Sequence, residues 1–184
     1  MRSTQPFLVL AIFLSAATPA LAGDVECVWA EVPSSQRNRL LDAYVTGGRE
    51  AMVEALDLRA QLPDFTERCH FPQDPEASRQ AGISVGSYAV VQSAARVLEA
   101  RGGPSWATLL AAWNELAPPD RERMEQFALA ASPHPQEMIT QWWEIAGPMM
   151  ARAGWSGDPS EPLTDLYVDI YTSLAVSRAS ARNW

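Results

Sequence analysis

The sequence predicts an all-α protein: a single-domain bundle of about seven helices with one disulfide near its N-terminus. Three observations lead there. Apolar residues recur with a period near 3.6 between marks of Pro and Gly. No run alternates apolar and polar residues between turn signals, so no strand is expected. The only two cysteines are Cys27 and Cys69.

The chain opens with one positive charge, Arg2. The uncharged stretch FLVLAIFLSAA (7–17) follows, then a helix breaker at Pro19 and the small residues Ala20 and Ala22 before Gly23. That order predicts a secretory signal peptide over residues 1–22, cleaved after Ala22. The apolar run is too short for a membrane anchor, which takes roughly 20 residues. Removing 22 of the 184 residues leaves 162, the single helical domain 23–184. A chain of this size buries roughly two-thirds of its unfolded surface. The expected location is periplasmic or secreted, with no membrane span once the signal is lost. In such an oxidising compartment Cys27 and Cys69 read as a disulfide, worth roughly 3–4 kcal/mol by chain entropy.

The helices are expected in this order. Pro33-Ser34-Ser35 starts the first, whose stripe Leu40, Leu41, Tyr44 and Val45 stops at Gly47-Gly48. The second covers Arg49 to Gln61, with Met52, Val53 and Leu56 inward, and ends before Pro63. Residues 63–74 are irregular. The third starts at Asp74-Pro75-Glu76, where Asp caps and Pro suits the first turn, and runs to Arg101. Its middle is made of small residues: Gly82, Ser84, Gly86, Ser87, Ala89, Ser93, Ala94 and Ala95. Glycine costs an isolated helix about 1 kcal/mol each, so another helix is expected to pack close here and make this helix central.

The fourth helix opens at Pro104-Ser105 and carries Trp106, Leu109, Leu110, Trp113 and Leu116. Pro118-Pro119-Asp120 starts the fifth, which carries Met124, Phe127, Ala128 and Ala131 and ends at Ser132-Pro133. Pro135-Gln136-Glu137 starts the sixth, striped with Met138, Trp142, Ile145 and Met149; Pro148 predicts a kink near Gly147. After a loop over 154–162, the last helix holds Leu163, Leu166, Tyr167, Ile170 and Leu174 and fades into Arg178 and Arg182, basic residues that suit a helix C-terminus.

The net charge is -8, and loss of Arg2 with the signal makes it -9. This argues against a nucleic-acid binder, which needs a basic face, and against docking on anionic lipid. There is no lysine, since all 14 basic side chains are Arg, so Schiff-base chemistry has no amine. The sequence holds no G-x-S-x-G, Walker, Rossmann, H-E-x-x-H or C-x-x-C-H pattern; no catalytic residue, metal site or cofactor is assigned. His134 and Glu137 lie three apart, but two ligands do not make a metal site, and His134 between two prolines reads as an exposed turn residue. Glu161, Asp165 and Asp169 are spaced four apart and would form an acidic ridge. The first two suit a helix N-terminus, and Asp169 is left over.

The tryptophans are the unusual feature. There are seven, and Trp142 and Trp143 are adjacent, so they cannot both point into one core. Trp106, Trp113 and Trp142 read as core; Trp143 and Trp155 are equally suited to a contact surface, with Trp113 a third candidate. The resulting expectation is a tryptophan-rich binding or interaction module for a partner protein or a small apolar ligand, with contacts at Trp113, Trp143 and Trp155. Two alternatives stand beside it: an envelope-polymer hydrolase using Glu137, Glu144 or Asp169, and a purely structural envelope component.

Overall fold

Val25, Val28, Trp29 and Val32 fall at i, i+3, i+4 and i+7, and all four are buried. In the computed structural model, which describes residues 25–56, 68–130, 132–158 and 160–182, the first three belong to a short helix, α1 (Val25–Glu31), and Val32 follows its last residue. Six more follow: α2 (Ser34–Ala55), α3 (Pro75–Ala100), α4 (Trp106–Asn114), α5 (Pro118–Leu129), α6 (Gln136–Arg152) and α7 (Thr164–Ala181). The fold is all-α, with no strand among the described residues. The expected signal segment, residues 57–61 of the second expected helix, and Trp184 lie outside them.

Among the described residues the count of seven matches the expected number, but its makeup differs. α1 was not expected, and the two helices expected on either side of Gly47-Gly48 form one element with a break inside it. Gly48 sits at φ 68°, ψ -157°, a conformation that only glycine adopts without strain. The break resets the helical phase. Leu40, Tyr44 and Met52 are buried, whereas Val45 and Val53, both expected inward, are 61% and 51% exposed.

Asp74 caps α3 as predicted, accepting the backbone N–H groups of Glu76 and Ala77 at 3.0 Å each, with Pro75 in the first turn. α3 and α7 make the most extensive helix pairing in the molecule. The seam between them is built of small side chains. Ala81, Ser84 and Ala89 on α3 and Ser173, Ala175 and Ser177 on α7 are all fully buried. The Ser84 hydroxyl donates to the Ser177 carbonyl at 2.8 Å, an approach that larger side chains would prevent. The two glycines of α3 differ: a Cβ on Gly86 would meet Leu56 at 3.3 Å, while Gly82 has open space.

Helices α1, α2 and α4 pack on α3, α5 packs on α7, and α6 closes against α5 and α4. The Cys27–Cys69 disulfide ties α1 to the segment leading into α3. The last two arginines of α7 do more than complement its dipole. Arg178 reaches Glu26 of α1 at 2.7 Å, and Arg182 grips Glu125 of α5, a carboxylate only 5% exposed, with two nitrogens. A carboxylate that deep needs such a partner, because an unpaired buried charge is strongly disfavoured.

Candidate functional site

Pro118 and Pro119 start α5 and supply no N–H, so the helix turns sharply out of α4 and lays its first residues beside the second half of α6. Between them opens a cleft of about 550 Å³. Its charged lining comes from Glu115, Asp120 and Glu144 with Arg123 and Arg152. Its apolar part is Leu116, Ile145 and Pro148. Two of the acids are neutralised locally: Arg123 donates to Asp120 at 2.9 Å, and Arg152 lies 3.4 Å from Glu115. Because Pro148 has no N–H, the helical bond to the Glu144 carbonyl one turn earlier is missing, and both residues lie on the cleft wall. The helix continues past Pro148 to Arg152.

Beside it, between the same helices, is a second, small pocket of about 50 Å³. It shares Arg123 and Ile145 with the cleft and adds Gln126, Phe127, Gln141 and Trp142. Trp142 is only 4% exposed, and its indole N–H is buried with no hydrogen-bond partner among the described residues. Gln141 directs its amide nitrogen toward Glu137 at 3.4 Å.

An aromatic ladder runs behind this pocket. His134 lies 4.2 Å from Phe127, Phe127 5.7 Å from Trp142, Trp142 4.9 Å from Trp143 edge to face, and Trp143 5.8 Å from Trp155. Such pairs add about 0.5–1.5 kcal/mol each beyond the area they bury. The Trp155 indole donates to the Thr164 hydroxyl at 2.9 Å, which in turn donates to the Asp158 carbonyl, so the loop before α7 is pinned to the ladder's end. His134 differs from the exposed turn residue expected: it is half-buried on Phe127, because the ring can extend the ladder by one step.

Of the three contact residues expected, Trp143 and Trp155 meet each other and Trp113 stands apart on α4. Trp113 and Trp155 are buried, at 3% and 9% exposure, and Trp143 is half-buried. None of the three lines the cleft or the small pocket beside it; the tryptophan that does is Trp142, which the helical stripe assigned to the core. Burial and site lining coincide in that one side chain, and a stripe reports only the first.

The acidic residues also separate. α7 begins at Thr164, so Glu161 precedes it and the three acids share no helical ridge. Glu161 accepts the Ser156 hydroxyl at 2.6 Å. Asp169 accepts the Tyr44 hydroxyl at 2.6 Å, and this accounts for the carboxylate left over in the sequence. Burial, followed by that hydrogen bond, pushes the Tyr44 phenol far above its ordinary value. Of the acids considered for catalysis, Glu137 is exposed in the first turn of α6, Asp169 holds Tyr44, and Glu144 alone lies in the cleft. Among the described residues no group of three His, Cys, Asp or Glu side chains could hold a metal ion, and no helix is long and apolar enough to cross a membrane.

No family model, curated protein or solved structure matches this chain.

Proposed function

We propose that this protein is an exported helical interaction module that receives a segment of a partner protein in the cleft between α5 and α6. The observation that carries this reading is the cleft itself, open and about 550 Å³ in volume, lined by three acids and two arginines together with Leu116, Ile145 and Pro148. Small apolar ligands are held in enclosed, mostly apolar pockets, so the charged lining favours a polypeptide segment over such a ligand. Trp143 and Trp155 stack in series on Trp142, which lines the adjoining small pocket, and Trp113 lies three residues before Leu116 of the cleft lining. Export rests on the signal-like order of residues 1–22 and on the Cys27–Cys69 disulfide, a bond that persists in oxidising compartments.

The test is site-specific photo-cross-linking in the native envelope. A photoreactive side chain at Glu144 is expected to capture one defined polypeptide, and the capture should disappear with Ile145→Arg. The same group at Val53, on the far helix, should capture nothing in common with it. Indistinguishable adducts at both sites, or none at Glu144, would remove the reading. Mass spectrometry of the same material is expected to find Gly23 as the first residue. A second reading, a hydrolase for an envelope polymer, is favoured only by Glu144 sharing the cleft with Glu115 and Asp120. It requires that Glu144→Gln abolish a hydrolytic activity while leaving the fold intact.

A further inference from the structure

The charges lining the cleft do not balance. Two of its three carboxylates are matched: Arg123 donates to Asp120 at 2.9 Å, and Arg152 lies 3.4 Å from Glu115. The third, Glu144, is exposed and takes part in none of the ion pairs among the described residues. Three acids against two arginines leave one uncompensated negative charge on the lining, and it sits on Glu144. The same residue offers a second acceptor. Pro148 supplies no N–H, so the main-chain carbonyl of Glu144 lacks its helical donor. Pro148 itself is exposed on the cleft wall one turn further along α6, and Ile145 shares that wall. One turn of one helix therefore presents a free carboxylate, a carbonyl without its helical partner and an apolar surface.

We propose that the segment received by the cleft is basic: an arginine or lysine side chain sets its charge on Glu144, and an apolar side chain a few residues away covers Pro148 and Ile145. The complementarity acts at two ranges. At contact, guanidinium and ammonium groups carry several donors and no acceptor, which suits the two acceptors of Glu144. At a distance, the net charge of -8 draws a basic segment toward the chain and holds an acidic one off. Glu144 is open to solvent, so the pair contributes selectivity and a modest gain in affinity, both weakened by salt. The proposal rests on the reading of the cleft as the seat of a protein segment, and deepens it by naming the charge of that segment.

The experiment uses the full folded chain and the backbone amide resonances of Leu116 and Ile145. Three probes are titrated at low salt: N-acetyl-Leu-Ala-Arg amide, the same peptide with citrulline, which keeps the shape of arginine and loses its charge, and the same peptide with Glu. The expected result is a saturable shift with the Arg peptide, with binding about three- to fivefold weaker for citrulline and weaker again for Glu. Glu144→Gln should bring the Arg peptide down to the citrulline level and leave the citrulline peptide unchanged, while Glu144→Asp keeps the preference. Glu50→Gln removes the same charge from an exposed acid of α2 outside the cleft, and should alter neither. Equal binding of the Arg and citrulline peptides, equal losses in Glu144→Gln and Glu50→Gln, or no saturable shift with any peptide would overturn the proposal. The photoreactive group at Glu144 also removes this charge, but covalent capture tolerates a complex weakened only about three- to fivefold, so the two readings fail separately. A cross-linked partner without a charge preference would leave the cleft reading standing alone. A charge preference that depends on Glu144, with no cross-linked partner, would uphold the basic selectivity and end the partner reading.

Discussion

The α3–α7 seam and the α5–α6 layer bring helices together by opposite means. In the seam the contacts are Ala and Ser, and the helices approach until a hydroxyl of one bonds the backbone of the other. In the layer α5 meets α6 through Phe127 and Trp142, two of five aromatic rings in series, beside a cleft and a pocket that remain open. Small side chains let backbones meet and leave nothing to rearrange. Large flat rings fill volume quickly but cannot tile it, so cavities survive at their edges. The difference sets a close-packed seam in one region and open space in the other.

This contrast can be broken by substitution. Removing a ring should be the most damaging change: Trp142→Ala is expected to cost about 3–5 kcal/mol in urea unfolding, because it opens a cavity at the middle of the ladder. Adding volume should discriminate between the regions. Ser177→Leu forces four heavy atoms' worth of side chain against Ser84 and is expected to cost about 1–3 kcal/mol, whereas Ile145→Phe, with open space on two sides, should stay within about 1 kcal/mol of the parent. Equal losses from Ser177→Leu and Ile145→Phe would show that the layer is as tightly specified as the seam.

Smaller effects concern the edges of the seam. Tyr44→Phe removes the hydroxyl that donates to Asp169 and should cost about 1 kcal/mol at neutral pH, read by thermal unfolding. Because the folded-state phenol is raised, its stabilisation is complete below the ordinary value of 10 and is lost as pH climbs above it. The variant should therefore lose part of the alkaline destabilisation of the parent. Smallest of all is the exposed start of α3. Arg79 and Gln80 hydrogen-bond Glu76 and lower its carboxyl from 4.5 to about 2. Its contribution is present above pH 4.5 and lost as pH falls through about 2, so any difference in Tm between Glu76→Gln and the parent should be confined to the range above that window.

Parts of this were legible in the residues. The capping Asp74, the prolines that open α3 and α5, and the small residues of α3 each act locally or through a packing rule that a one-dimensional pattern carries. The α1 stripe Val25, Val28, Trp29 and Val32 was also there to be read, but it is so short that no cap or helix start marks it. The phase of α2 after Gly48 was not legible. Two successive residues with free dihedrals can resume the helix at any rotation, and the inward placement of Met52 over Val53 was settled by what lay opposite.

By itself, then, the sequence determined the helical class, most helix starts, the pairing of its two cysteines and the seam-forming character of α3, because all of these depend on residue type and spacing. Only the tertiary structure decided that Asp169 answers Tyr44 across 125 positions, that Arg182 neutralises Glu125, and that Trp142 edges a pocket while Trp143 and Trp155 stack behind it. Those outcomes depend on which helices become neighbours and at what rotation. Periodicity specifies the inward face of each helix, and leaves open what that face will meet.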